Sequence, residues 1–212
     1  MRTGRRVILS IVLFFLTASF VCFAGESTES VLAKIRKGMG AVSTLQAEFV
    51  QKKRIASLKH TLTIRGELAL DRNGRMAWRV HSPMRYVCLI DGNSLTQWDE
   101  DSDSVLKLDA SKNPALQVLS KSMSRYFGGR FDEMADEFSI SLQGPLSLRL
   151  VPRKESVISR FIREIEVETS PDYSFITRVV IREVGGDESV IEYSNVRKNQ
   201  PVPESIWRAG AN

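Results

Sequence analysis

Reactive side chains are scarce in this chain. It has two histidines, His60 and His81, and two cysteines, Cys22 and Cys88. That inventory is too small for a multi-histidine or Cys/His metal centre, so no metal is expected. Neither a G-x-S-x-G elbow nor a glycine-rich phosphate loop occurs, and no Ser/His/Asp set is suggested by context. No catalytic residue is therefore assigned, no cofactor is implied, and an enzyme is not expected. A basic tract of the kind that binds polyanions is also missing, so nucleic acid is not expected as a partner. Internal repeats and low-complexity stretches are absent too.

What is present begins at the N-terminus. Arg2, Arg5 and Arg6 precede an apolar run over residues 7–23, the layout of a secretory signal peptide. Cys22 and Ala24 are small and stand where a signal peptidase reads, so cleavage is expected after Ala24. The alternative is a retained membrane anchor, for which the run is at the short end. Lipid attachment at Cys22 is disfavoured because bulky Val21 stands where such a motif needs a small residue. Residues 1–24 are read as leader and 25–212 as one domain, whose 188 residues can bury a real core. With the three leader arginines gone, the formal charge falls from +5 to +2, spread as 27 basic against 25 acidic residues. Cys88 is then the remaining cysteine, and no intramolecular disulfide can form.

The hydrophobic period gives the elements. Residues 27–44 read as an amphipathic helix capped by Ser27 or Thr28, with Val31, Ile35, Met39 and Val42 on one stripe. Gly38 and Gly40 weaken its last turns, which suggests that the helix is held by the surface it lies on. From Leu45 the period becomes two, through Ala47 and Phe49 and then Leu62, Ile64, Leu68 and Leu70. Asp71-Arg72-Asn73-Gly74 signals a hairpin, in which Asn-Gly is expected to take a tight primed turn. Met76, Trp78 and Val80 form the returning strand. Further strands are expected over 86–90, 94–98, 105–108, 138–142, 146–150, 162–169, 176–184 and 189–196, with a solvated acidic turn at 99–103. Asn113-Pro114 starts a second helix carrying Leu116, Leu119, Met123, Tyr126 and Phe127, ended by Gly128-Gly129. Successive strands joined by short turns, without helical crossovers, favour an antiparallel meander of roughly ten strands.

Glu164, Glu166 and Glu168 share one face of a strand. They imitate a carboxylate array, but like charges at period two opposite Ile165 and Val167 describe a sheet with one wet face. Arg178 or Arg182 on the next strand are their expected partners. Met39, Met76 and Met123 are adaptable packers suited to a variable apolar guest, and equally to plain core. On residue types alone the reading stops at a secreted, β-rich globule.

A resemblance carries it further. A helix, then F-x-Q (Phe49-Val50-Gln51), G-x-L (Gly66-Glu67-Leu68), Arg72 four residues after that leucine and Trp78 six beyond it occur in order. They are followed by a strand ending in Asp91-Gly92, an aromatic at Trp98, a middle helix near 114–127, and a closing stretch over 192–207 with paired asparagines, prolines, an acid and an aromatic. Together these resemble the LolA-like family of outer-membrane lipoprotein carriers. The resemblance implies a mainly β (α+β) fold: an incomplete antiparallel β-barrel lidded by two to three helices over a hydrophobic cavity. It implies a periplasmic carrier, expected to be monomeric, whose partners are an acylated lipoprotein or other lipid cargo, an inner-membrane release complex and an outer-membrane acceptor. It assigns Arg72 to lid closure and cargo release, and Met76 and Trp78 to the cavity wall. Phe49, Leu68 and Leu70 join that wall on their inward alternation. Asn73-Gly74 stands where the family commonly has proline, and Met76 where it commonly has an aromatic. A divergent relative with another hydrophobic cargo, and a lipoprotein-sensing module of the same fold, are the alternatives.

Overall fold

The computed structural model describes residues 26–58, 60–112 and 123–210. The expected leader, and the first part of the second helix, lie outside the described residues.

Helix α1 (Thr28–Gly40) starts where Ser27, with extended backbone, accepts the N–H of Ser30 on its hydroxyl at 3.2 Å. Its stripe of Val31, Ile35 and Met39 is buried. The helix stops at Gly40, four residues short of the expected end. Ala41 caps it, and Thr44 already belongs to β1. The competing interaction is local. Ser43 gives both its N–H and its hydroxyl to the Asn199 carboxamide oxygen, at 2.7 and 2.9 Å, which pulls the chain onto the sheet before another turn can form.

Eleven strands follow: β1 (Thr44–Arg54), β2 (Thr61–Asp71), β3 (Met76–Ser82), β4 (Tyr86–Asp91), β5 (Ser94–Asp99), β6 (Ser104–Asp109), β7 (Phe138–Gly144), β8 (Ser147–Pro152), β9 (Ile162–Thr169), β10 (Ile176–Glu183) and β11 (Glu188–Lys198). They form one sheet ordered β6-β5-β4-β3-β2-β1-β11-β10-β9-β8-β7. Every pairing is antiparallel. Two meanders therefore meet where the first strand pairs the last, and β6 and β7 are left as edges, so the barrel stays open. The predicted meander is borne out, with eleven strands among the described residues.

Register turns the period-two pattern into a greasy inner face. Leu45, Leu70, Met76, Ile90, Leu95 and Leu108 stand opposite one another across six strands. The next inward rung runs Ala47, Leu68, Trp78 and Cys88. Helix α1 packs over this face, and the helical residues 123–127 bring Met123, Tyr126 and Phe127 onto the same cluster. That burial supplies the driving force, about 1.5–3 kcal/mol for each large side chain taken fully out of water.

The outer face of the sheet differs from one half to the other. The β9 carboxylates pair as expected: Arg182 bridges Glu164 and Glu166 at 2.8 and 2.6 Å, Arg178 holds Glu168 at 2.8 Å, and Arg149 adds a contact to Glu164 at 2.6 Å. One end of the outer face of β1–β3, in contrast, is covered. Gln46, Ala69, Ala77 and Arg79 are all buried there, because the C-terminal segment crosses it. Arg79 donates to the carbonyls of Ile206 and Arg208, and Gln46 donates to that of Pro201.

Candidate functional site: an apolar cavity under the helices

Between α1, residues 123–130 and the inner face of β1–β4 lies a cavity of about 390 Å³. That volume falls within the usual range of small-molecule sites. Its floor is the leucine ladder already described, with Leu45, Leu68, Leu70, Met76 and Ile90 side by side. Met39 of α1 and Phe127 of the second helical segment roof it, and Tyr193 and Val196 of β11 with Ile176 of β10 close its far side. Inward alternation on four adjacent strands builds such a floor. The small side chain of Ala47 in the next rung leaves it hollow.

The mouth is polar and lies at the end of the sheet that carries the β2–β3 turn. Arg72, Arg75 and Arg130 all line it. Arg75 is committed, with Nε 2.6 Å from Asp71 and its guanidinium 4.5 Å from the Trp207 ring centroid. Arg130 donates to the Ser124 hydroxyl at 2.8 Å. Arg72 differs from both. Its backbone N–H donates to the Ser43 carbonyl at 2.8 Å, tying the turn to the α1–β1 connection, while its exposed side chain makes no hydrogen bond or ion pair among the described residues. The turn that presents Arg72 is not the primed one expected. Gly74 alone takes a positive φ, +84°, while Gly74 N–H bonds the Asp71 carbonyl at 3.0 Å and Asp71 N–H bonds that of Arg75 at 3.1 Å. This is a type I turn followed by a left-handed glycine, which uses the glycine but makes no such demand on Asn73.

Phe49 and Trp78 do not line the cavity. They stack on each other, centroids 3.8 Å apart and planes 23° from parallel, Trp78 from the Ala47 rung and Phe49 from the next inward rung. The Phe49 ring lies over Gly66, where an added Cβ would stand 2.6 Å from Cζ. That is the physical content of the G-x-L signature: the glycine makes room for an aromatic on the neighbouring strand.

Burial pushes the phenols of Tyr126 and Tyr193 up, and the half-buried Cys88 thiol likewise, so all three stay protonated near neutrality. The carboxylates of β9 lie across the sheet, where Arg149 first and Arg182 next hold the Glu164 carboxyl below its ordinary value. Among the described residues, no group of three His, Cys, Asp or Glu side chains is placed to hold a metal ion. An apolar hollow with a cationic mouth suits sequestration of an amphiphile.

The family model described as "Outer membrane lipoprotein carrier protein LolA" matches residues 40–209 of the chain. The protein belongs to this family. The outer-membrane lipoprotein carrier protein of Pseudomonas entomophila is 25% identical over 190 residues, covering 87% of this chain and 86% of the relative. That of Ralstonia nicotianae is 23% identical over 205 residues, covering 90% and 87%. Among solved structures, an uncharacterized conserved protein from Thermus thermophilus superposes with a TM-score of 0.54 at 8% identity, covering 85% of this chain and 93% of that one. The MucA/MucB complex of Pseudomonas aeruginosa gives 0.50 at 11%, covering 85% and 60%. These structural likenesses speak to the fold alone.

Within this LolA-family fold the six sequence-derived positions divide. Leu68, Leu70, Met76 and Arg72 meet at one cavity, while Phe49 and Trp78 stand beside it. Sequence reasoning missed the far wall and the second cation. Tyr193 and Val196 lie on opposite sides of a shift in the β1–β11 register, so simple alternation does not place both inward. Arg130 follows the Gly128-Gly129 helix stop and carries no periodic signal at all.

Proposed function

We propose that the protein is a periplasmic carrier that shelters the acyl chains of a lipoprotein, takes it from an inner-membrane release complex and hands it to an outer-membrane acceptor. The observation that carries this reading is the apolar cavity of about 390 Å³ in a chain of the lipoprotein-carrier family. Taking on the order of ten methylenes out of water would contribute about 8 kcal/mol gross, enough to hold cargo through an aqueous compartment. Release then requires an acceptor of greater affinity or energy supplied at the donor.

In this proposal Leu68, Leu70 and Met76 contact hydrocarbon, and Phe49 with Trp78 forms the inner stop against which a chain abuts. Arg72, whose guanidinium is unengaged at the mouth, closes the lid over bound cargo and lets it go. The carrier acts as a monomer without covalent chemistry.

Mass spectrometry of organic extracts from protein purified out of the periplasm tests the reading. An acylated peptide or lipid at near-stoichiometric amount is expected, and its consistent absence, with no lipoprotein transfer in a reconstituted assay, overturns it. Arg72→Leu is expected to change the rate of cargo release while shifting folding stability by no more than about 0.5 kcal/mol, as befits an exposed side chain. Unchanged transfer kinetics would remove Arg72 from the mechanism.

A further inference from the structure

All eight large apolar side chains that stay exposed among the described residues sit at one end of the sheet, opposite the cavity mouth. This upper end carries the β1–β2, β3–β4, β5–β6 and β10–β11 turns and the connection from β8 to β9. It divides into two halves by charge.

In the first half, Leu58 follows β1, Leu62 opens β2, Val184 follows β10, and Val157 and Phe161 precede β9. Val157 is 67% exposed, Phe161 65% and Val184 57%, so most of each side chain meets water. Hydrogen bonds join the three tips into one surface. Val184 N–H donates to the Phe161 carbonyl at 2.8 Å, Arg54 to the Gly186 carbonyl at 3.2 Å, and Ala56 N–H to the Asp187 carboxylate at 2.8 Å. Cations are interleaved with the apolar side chains. Lys154, Arg160 and Arg163 are exposed and have no carboxylate partner among the described residues, and Arg54 spends its bond on a neutral carbonyl and keeps its charge. The acids nearby are fewer: Glu183 and Asp187 share Lys53 at 3.0 and 3.9 Å, and Glu155 adds a further negative charge. The second half, with Met84, Val105 and Leu106, carries Asp101 and Asp103 beside Lys107, and its Arg85 is held by Glu100 at 2.9 Å.

We propose that the joined tips of β1–β2, β10–β11 and the β8–β9 connection dock the protein on an anionic lipid surface. Apolar side chains on turn tips enter the headgroup layer without needing a complementary shape, and unpaired cations between them meet lipid phosphates. Docked this way, the arginine-lined mouth faces away from the bilayer and stays open to the aqueous side. The proposal is independent of what the cavity holds.

The experiment is flotation of the exported, purified protein with vesicles of phosphatidylethanolamine plus phosphatidylglycerol, and with vesicles of phosphatidylcholine alone. Binding is expected to the anionic vesicles and to weaken with added salt. V157S/F161S/V184S and, separately, K154E/R160E/R163E are each expected to lower that binding about tenfold or more, with V105S/L106S as a control that leaves it intact. The charge-reversed variant changes only exposed side chains, so it remains informative if the first variant folds poorly. No binding of the native protein to anionic vesicles, or equal binding of native protein and both variants, overturns the proposal. So does loss in V105S/L106S equal to that in the other variants.

Discussion

At the scale of single residues, the most constrained position is Gly66. An added Cβ would lie 2.0 Å from the Arg79 carbonyl oxygen and 2.6 Å from the Phe49 ring. The first contact is with backbone, which cannot swing aside as a side-chain terminus can. Gly66→Ala is therefore expected to destabilise by about 1–3 kcal/mol, read as a lower denaturant midpoint with an unchanged slope. Arg79 is constrained from the other face, where it is 6% exposed and held by two carbonyls of the C-terminal segment with Glu67 3.5 Å away. Its neighbours in sequence read as an ordinary wet alternation. Nothing in residues 76–82 announces that a distant segment will cover them.

At the scale of elements, β8, β9 and β10 are bound on their outer side by a ladder of arginines and glutamates. Arg149, and after it Arg182, depress the Glu164 carboxyl below its ordinary 4.5. A depressed carboxyl contributes stability that is present above its unfolded pKa and disappears as pH falls through the lower folded value. Glu164→Gln is accordingly expected to cost about 1–2 kcal/mol at neutral pH. The gap between variant and native protein should begin to close below pH 4.5 and vanish at strongly acid pH, as followed by thermal unfolding across a pH series. A gap independent of pH would mean that packing, and not charge, is lost. The strands and α1 were legible because each buries one face, and burial imposes a period of two or of near four on the sequence. Their ends were less so. Whether residues 41–44 continue a helix or enter a strand is decided by Asn199, which lies far along the chain and acts through two hydrogen bonds to Ser43.

At the scale of the whole molecule, the helices and the sheet enclose a space that side chains do not fill. Ala47 is 5% exposed and lines it, so a larger side chain there would grow into the hollow. Ala47→Phe is expected to reduce binding of a fluorescent fatty acid about tenfold while the protein keeps its circular dichroism spectrum. Undiminished binding would move the hydrocarbon site away from this cavity.

Local sequence was enough to fix the antiparallel meander and the inward rows of Leu68 and Leu70. These follow from local periodicity and from which residue types are present. Tertiary structure alone decided that the first strand pairs the last, that Phe49 and Trp78 turn to each other instead of to the cavity, and that Arg72 shares its mouth with Arg130. It also gathered the exposed apolar tips at one end of the sheet. Each of these joins residues far apart along the chain, and such pairings are fixed by how the two meanders and the helices close on one another, which no local pattern encodes.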